Sequence, residues 1–380
     1  MKLVALACPT DFRRYNLAQR HAIPPEMTFS DWRELSSKPK LADAVIITSV
    51  GDRLRDKHIV VFAEKRYHIL LESPVTLSLQ TCKRLADSAL RNQVIFAMGN
   101  TLRYSAYNLT IKRIIDSGTI GEVMNIQHVA PLGAFRLQCA DSGIFSRKYR
   151  RESSSMLANS LSDVDLVAWF MGRRCRIISS FGCFFSQPSQ LDNNSFVPHD
   201  SPITRTTTPT TLPNQTEDEN GILSLITSDA AQPSAVNSPS EENGHQNINM
   251  EFDGDKTCSI TLIACPENVL PRRTRIFGNL GELDGDGQIV RVFNFLTRRS
   301  EIIRPDVFRG GDVFNERYCG EYGLVRRFVE AIAAGGPLNG SSDADEMLDS
   351  YVYVTAAEYA NKTESVVNVD DFRSRVFAET

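Results

Sequence analysis

The stretch Tyr67-His-Ile-Leu-Leu-Glu-Ser-Pro-Val75 decides how the first third of the chain is read. It predicts a buried strand that runs straight into Glu72-Ser73-Pro74, with a helix opening between Leu77 and Gln80. Pro74 pins a turn of the loop and holds Ser73 extended. In an open parallel α/β sheet, the chain leaving the carboxyl end of a strand lies over the crevice where ligands bind. Glu72, Ser73 and Pro74 are therefore candidate site residues. The same three residues equally suit a loop that does no more than turn the chain into a helix, so the surrounding pattern has to decide.

Upstream, Met1 to Ala7 alternates too little for an edge strand and predicts a buried parallel strand. A helix follows over Asp11 to Arg20, and a short one begins within Thr28 to Leu35, with Ser30 or Asp31 as its N-cap. Asp43 to Thr48 is the next strand, Asp52 caps a helix through Lys65, Ser78 to Arg91 is helical, and Val94 to Met98 returns to strand. Such alternation with short connections predicts parallel strands joined by right-handed helical crossovers. A helix over Tyr104 to Ser117 ends at Gly118, which suits a helix C-cap.

Beyond about Gly121 the pattern changes. Glu122 to Ala130 alternates like a half-buried strand, and Ser155 to Phe170 is helical. Short strands are then expected near residues 177–185, 250–252, 259–264, 273–277, 289–295 and 300–303, with turn signals at Gly278-Asn-Leu-Gly281 and Asp284-Gly-Asp-Gly287. Two helices, about Tyr322 to Ala334 and Asp343 to Asn361, close the chain. The fold class is thus α/β: a truncated Rossmann-like parallel sheet over 1–121, then an α+β domain over 122–380 with a mostly antiparallel sheet of six or so strands. Residues 187–246 are rich in Thr, Ser, Pro, Asn and acidic residues and cannot bury enough apolar area to offset their ordering entropy, so a disordered insertion is expected there. Ile222 to Ile226 is its one segment suited to local folding.

Composition narrows the function classes. The 380 residues allow two domains with separate cores, and 42% hydrophobic with 23% charged residues is ordinary for a soluble globular protein. A net charge of -4 and the lack of any long Lys/Arg run argue against nucleic acid as a partner. The eight cysteines are scattered singly, without zinc-ligand or redox spacing, and are read as reduced thiols. Leu3 to Ala7 is too short for a signal-peptide core, and no apolar run approaches the roughly 20 residues of a membrane span. These readings predict a cytoplasmic protein with no membrane and no metal.

Several segments, taken in order, carry a resemblance: Phe29-Ser-Asp-Trp-Arg-Glu-Leu35, His68-Ile-Leu-Leu-Glu72, Leu102-Arg-Tyr-Ser105, Ile115-Asp-Ser-Gly-Thr-Ile-Gly-Glu-Val123 and Asp163-Val-Asp-Leu166. The chain resembles the glucose-fructose oxidoreductase, inositol dehydrogenase and rhizopine catabolism (Gfo/Idh/MocA) family. The resemblance implies NAD or NADP as cofactor and a sugar-like or secondary-metabolite alcohol or carbonyl as small-molecule substrate, held between the two domains. It also implies homo-oligomerisation through the second-domain sheet. Hydride transfer needs a donor carbon held against the nicotinamide and a group that exchanges a proton with the substrate oxygen.

Against that family the chain departs at three places. The Gly-rich first turn would precede Met1. Ser73 stands where a Glu-Lys-Pro loop would carry its Lys. Asn159-Ser-Leu-Ser-Asp-Val-Asp165 matches the His-Asp helix with Asn159 and Ser162 in the key places and Asp163 and Asp165 retained. Arg317-Tyr-Cys-Gly-Glu321 looks like a divergent His-Gly-Gly-Gly-Asp segment. Ser and Asn do not titrate near neutral pH, so neither replaces Lys or His as an acid or base unaided. The catalytic positions Ser73, Asn159, Ser162 and Asp163 thus form a depleted set. The alternative implied is a non-catalytic relative that binds a small molecule or a protein partner, as the family's galactose-regulon repressors do.

The expected cofactor residues are Cys8, Arg13, Ser49, Gly51, Glu72 and Pro74. Cys8 occupies the place of the acid that would hold the adenosine ribose, while Arg13 and Arg14 could favour a 2'-phosphate or simply be solvated on a first helical turn. Without the central first strand, a slot about 4.8 Å per strand spacing lies between two bare ladder edges. Either the sheet closes across it, or another chain enters it, or the sequence starts late. Asp163 and Asp165 diverge by about 200° on a helix, which predicts one facing the cleft and the other solvent or a cap. Arg103 and Tyr104 match the family's cleft segment but could be a helix start and nothing more. Arg147-Lys-Tyr-Arg-Arg151 lies near the family's substrate loop but more often marks a solvated loop. His128 reads as a satisfied sheet histidine.

Overall fold

The computed structural model describes residues 1–48, 52–72, 78–133, 155–186, 242–265, 271–305, 316–335 and 344–378. They separate into one unit of Met1–Phe184 with Gly244–Thr380, and a second of Phe185–Asn243. Everything below concerns the first. Residues 187–241 of the expected insertion, including Ile222 to Ile226, lie outside the described residues, as does Arg147 to Arg151.

The amino-terminal half is built from parallel pairs. Strand β1 (Leu6–Ala7) pairs with β2 (Thr28–Phe29), and β3 (Ala44–Ile47), β4 (His68–Leu71) and β5 (Phe96–Met98) form a separate three-stranded sheet in that order. Met1 to Ala7 is not the fully buried strand expected from its apolar run. Only Leu6 and Ala7 join a ladder, and both are half-buried, because among the described strands β1 has a neighbour on one side only. The sheet has not closed across the slot: β1 and β3 do not pair.

Helix α1 (Asp11–Arg20) follows β1 and buries no residue, leaving Phe12 and Tyr15 exposed. Helix α2 (Trp32–Ser37) starts at the expected N-cap: the Asp31 side chain accepts from the Arg33 N–H, and the Glu34 carboxylate accepts from the Asp31 N–H, a reciprocal capping box. Thr28 and Phe29, which precede the cap, form strand β2. Helices α3 (Asp52–Glu64) and α4 (Leu79–Arg91, capped by Ser78) cover the three-stranded sheet. After β5, a 3-10 turn at Thr101–Tyr104 leads into α5 (Ala106–Asp116), and Gly118 terminates it at φ +70°, a left-handed conformation that glycine adopts without a Cβ penalty.

The second half is organised on one nine-stranded sheet of order β13-β12-β11-β10-β6-β9-β8-β7-β14. Its members are β6 (Val123–Gly133), β7 (Cys175–Ser186), β8 (Glu242–Phe252), β9 (Lys256–Cys265), β10 (Arg273–Gly278), β11 (Gly281–Gly285), β12 (Val290–Asn294), β13 (Arg299–Ile303) and β14 (Val367–Asn368). It is larger than the six or so strands expected, and mixed: β6 and β9 run parallel at its centre, while β10/β11, β11/β12, β12/β13 and β8/β9 are antiparallel. Strand β11 hides between two turn signals in the sequence. Strand β8 begins at Glu242, so residues 242–246, expected in the insertion, belong to a strand.

Helix α6 (Ser155–Met171) lies against β6 and β9, and α7 (Glu316–Ala334) docks on the 3-10 turn. Helix α8 (Ala344–Thr363) packs against α4 on one side and α6 on another. With Met347, Leu348, Tyr351, Val352, Tyr353, Val354 and Ala357 all buried, it is covered on most of its circumference, as expected for a helix without a polar face. The chain does not close on two helices as expected: β14 and a third helix, α9 (Val369–Ala378), follow, with Phe372 buried.

Candidate active site

Helix α6 carries the expected site residues Asn159, Ser162 and Asp163, and its two aspartates show how the helix is held. Asp163 and Asp165 leave the helix in divergent directions, and both are 0% exposed. The expectation that one faces the cleft and the other solvent or a cap fails, because a basic partner meets each inside the protein. On the sheet side, the Arg272 guanidinium donates to Asp163 from Nε at 2.6 Å and from Nη2 at 3.2 Å. His128 Nε2 lies 3.1 Å from the same carboxylate, and its Nδ1 hydrogen-bonds with Thr274 Oγ1 at 2.8 Å. His128 is thus the satisfied sheet histidine expected.

On the opposite side, Asp165 receives a bidentate pair from Arg103, Nε at 2.6 Å and Nη2 at 2.7 Å, and a third bond from the Ser350 hydroxyl at 2.8 Å. Arg103 Nη1 donates to Glu346 at 2.6 Å, and its guanidinium stands 5.6 Å from the Trp169 ring centroid. Arg103, read from its segment as a cleft residue, is 2% exposed and enclosed by this network. Tyr104 is equally buried, packed with Leu324 and Phe328 of α7. Two glycines let α7 approach: a Cβ on Gly320 would stand 2.3 Å from the Thr101 carbonyl oxygen, and one on Gly323 would stand 2.8 Å from that of Tyr104. The segment that resembled a glycine-rich His-Gly-Gly-Gly-Asp stretch places Gly320 at a helix contact.

Electrostatics follow from these partners. Burial alone would raise the Asp163 carboxyl, but the Arg272 charge and the His128 and Arg272 hydrogen bonds outweigh it and hold the group well below the ordinary carboxylate range. Burial disfavours the Arg103 cation, yet Asp165 and Glu346 more than compensate and keep it protonated. Asp163 is therefore a fixed anion, a poor candidate for exchanging protons near neutral pH. Ser162 is half-buried on the same helix, and Asn159 lies in its first turn with its side chain outside the described residues.

At the carboxyl ends of the parallel strands, the Glu72 N–H donates to the Ile47 carbonyl at 3.0 Å, and the Gly99 N–H donates to Leu71 at 2.8 Å, so the ends of β3, β4 and β5 are tied together. Ser49, Gly51, Ser73 and Pro74 lie outside the described residues. Sequence reasoning missed Asn100, the second residue past β5. The residue is 1% exposed and its Nδ2 has no hydrogen-bond partner among the described residues, a buried donor next to the place where ligands of parallel sheets bind. Its position directly after a buried strand was the available signal. Sequence reasoning also missed Arg272, which only the folded register of β10 beside β6 brings to Asp163.

The end of β1 does not fit a dinucleotide in the way the resemblance implied. The Cys8 thiol donates to the Thr10 carbonyl at 3.7 Å and offers no carboxylate for ribose hydroxyls. Arg14 donates to the Cys8 carbonyl at 2.7 Å and pairs with Asp11, while Arg13 is exposed on the same turn. Among the described residues, no cluster of three His, Cys, Asp or Glu could hold a metal, and no helix is long and apolar enough to cross a membrane. Cys82, Cys175 and Cys258 are buried free thiols, Cys8 a half-buried one, and burial pushes Cys175 up to about 12.

Comparison with known proteins places the fold. Residues 1–100 match a family model described as oxidoreductase family, NAD-binding Rossmann fold. A scyllo-inositol 2-dehydrogenase (NAD(+)) of Bacillus subtilis is 27% identical over 188 residues, 49% of this chain and 51% of that protein. An uncharacterized oxidoreductase of Streptococcus pneumoniae is 26% identical over 127 residues, 33% of this chain and 34% of that one. The chain thus spans about a third to a half of the length of these curated relatives. Among solved structures, an oxidoreductase from Agrobacterium radiobacter in complex with NAD+, L-tartaric acid and magnesium superposes with a TM-score of 0.68 at 13% identity, covering 97% of this chain and 91% of that one. A scyllo-inositol dehydrogenase from Lactobacillus casei with bound NAD(H) and scyllo-inositol gives 0.62 at 17% identity, covering 97% and 92%. At such identities the solved structures establish the fold: a Rossmann-like parallel sheet followed by a mostly antiparallel sheet domain.

Proposed function

We propose that this chain, which belongs to the Gfo/Idh/MocA oxidoreductase family through residues 1–100, is an NAD(P)-type oxidoreductase for a sugar-like alcohol or carbonyl whose proton-transfer set has been depleted. The observation that carries the reading is the commitment of both α6 aspartates to buried ion pairs, Asp163 with Arg272 and Asp165 with Arg103. A carboxylate enclosed by a guanidinium can orient a helix but cannot exchange a proton with a substrate oxygen near neutral pH. The remaining positions, Ser73, Asn159 and Ser162, offer hydroxyls and an amide, which donate and accept hydrogen bonds without titrating. The substrate class rests on the inositol dehydrogenases among the relatives. Asn100, whose buried amide nitrogen has no partner among the described residues, supplies a donor suited to a polyol hydroxyl or a carboxamide.

A second reading, ligand binding without turnover, is favoured by the end of β1. There Cys8 offers no carboxylate, and the Arg14 guanidinium is bonded to Cys8 and Asp11.

The test is titration with NADH and with NADPH by calorimetry, followed by scyllo-inositol oxidation monitored at the nicotinamide absorbance. The same assays are then run on Ser162→His with Ser73→Lys. The depleted-enzyme reading expects dinucleotide binding, slow or undetectable turnover in the native chain, and a gain of roughly 10² to 10⁴ in the double variant if those positions can carry acid-base work. Native turnover in the ordinary enzymatic range, about 1 to 10³ per second, would refute the depletion. Absence of dinucleotide binding by both proteins would leave the binding-only reading in its place.

A further inference from the structure

We propose that strand β13 is a self-pairing edge. Two copies of the chain join by antiparallel β13–β13 pairing about a two-fold axis at Ser300, which sets Arg299 of each copy opposite Glu301 of the partner subunit.

The nine-stranded sheet ends on β13 at one side and on β14 at the other, and the two edges are unequal. Strand β14 is two residues long, and α9 packs beside it. Strand β13 is five residues long and pairs, among the described strands, with β12 alone. Arg299 to Ile302 are exposed, Ile302 at 60%. A strand with one free side presents N–H and C=O groups that another strand can take up.

Charged side chains ordinarily blunt such an edge. On β13 they are arranged so that the strand carries its own complement. Across the ladder to β12, Arg299 stands opposite Asn294 and Glu301 opposite Val292, so neither meets an opposite charge within its own sheet. Among the described residues neither forms an ion pair, whereas Arg291 of β12 is paired with Asp286 and Arg273 of β10 with Asp284. Arg299 and Glu301 are two residues apart and therefore share one face of the strand. Antiparallel pairing about an axis at Ser300 places residue 299 opposite 301 and 301 opposite 299, so both charges are met in both copies.

The same pattern disfavours the neighbouring registers. With the axis at Glu301, the two carboxylates face each other, and like charges directly opposite are destabilising. With the axis at Ile302, Glu301 faces Ile303 and Arg299 passes the end of the partner's strand. A different protein would have to supply a Glu and an Arg at the matching spacing, which β13 supplies itself; the occupant is therefore a second copy.

The test is sedimentation equilibrium of the full chain over a concentration series, with three charge variants. A concentration-dependent dimer is expected. Glu301→Arg and Arg299→Glu should each weaken it about tenfold, because two attractive pairs become two repulsive ones. The two substitutions combined should restore the native dissociation constant, since the exchanged charges are again opposite. All three variants change exposed side chains only, so each should fold. Register is read by disulfide trapping. Ser300→Cys places two thiols across the axis on Cα atoms about 4.5–5.5 Å apart, within disulfide reach. Mild oxidation should therefore link the Ser300→Cys dimer and leave Ile302→Cys and the native chain, with its half-buried Cys8 thiol, unlinked. A chain that stays monomeric, association unchanged by the single charge reversals, or no restoration in the combined variant would each overturn the proposal. Linkage at Ile302→Cys in place of Ser300→Cys would show a different register and overturn it equally.

Discussion

Removing Arg103 should damage the protein far more than removing Arg103 and Asp165 together. In the native chain Arg103 and Asp165 are 2% and 0% exposed in their side chains and joined by two short bonds. Arg103→Met leaves a carboxylate with 0% exposure and, among the described residues, the Ser350 hydroxyl as its remaining donor. Stranding one member of a buried pair costs about 3–5 kcal/mol. Replacing both members with apolar residues of similar volume, Arg103→Met with Asp165→Leu, removes the stranded charge and is often close to neutral. Glu346 is half exposed and can return to water, so it adds little to either variant. The cycle should therefore show a coupling of about 2–4 kcal/mol, well above the few tenths expected of independent sites. For a folded unit of this size, the single variant corresponds to a fall in Tm of about 5–9 °C. Calorimetric scans of the native chain, the two single variants and the double variant provide the measurement. Additive effects, or a single variant within about 1 kcal/mol of native, would refute the argument that the two residues form one enclosed structural unit, and would reopen Asp165 as a site residue.

Three further outcomes follow from the same geometry. Gly320→Ala gains about 1 kcal/mol of helix propensity, yet a Cβ there would stand 2.3 Å from the Thr101 carbonyl, so a net loss of about 1–3 kcal/mol is expected in urea unfolding, and a gain would show that α7 does not sit on the 3-10 turn. Asp163 has a folded pKa below its unfolded value of 3.8, so its contribution is complete above that value and is lost as pH falls through and below it. Arg272→Met should therefore flatten the acid limb of stability below about pH 4, and an unchanged limb would remove Arg272 as the cause. Asn100→Leu should weaken binding of whichever dinucleotide or polyol the native chain takes while raising Tm, because it deletes a buried amide nitrogen with no partner among the described residues; a lower Tm with unchanged binding would make Asn100 structural.

Strand and helix alternation was readable from Asp43 to Met98 because β3 to β5 are apolar runs flanked by caps such as Asp31 and Ser78, whose partners lie within three residues. Local signals suffice where the determining contact is local. They failed at β11, whose five residues sit between glycine turns and owe their strand state to β10 and β12 on either side. They failed again at β14 and α9, where Asn368 accepts from Asp370 and Asp371 and two strand residues are recruited by β7. The site was the least legible part. A Asp-Val-Asp spacing fixes the divergence of the two carboxylates, but their partners come from residues 62 and 109 positions away, and no local pattern announces them.

The two networks hold α6 from both sides. Asp163 ties the helix to β6 and β10 through His128 and Arg272, and Asp165 ties its other side to the turn after β5 and to α8 through Arg103 and Ser350. Each tie depends on a charge in a fixed location. The aspartates therefore answer to a structural requirement of their own, whether or not the chain turns over a substrate. The burial and pairing of Asp163 and Asp165 are thus accounted for by how the halves are joined.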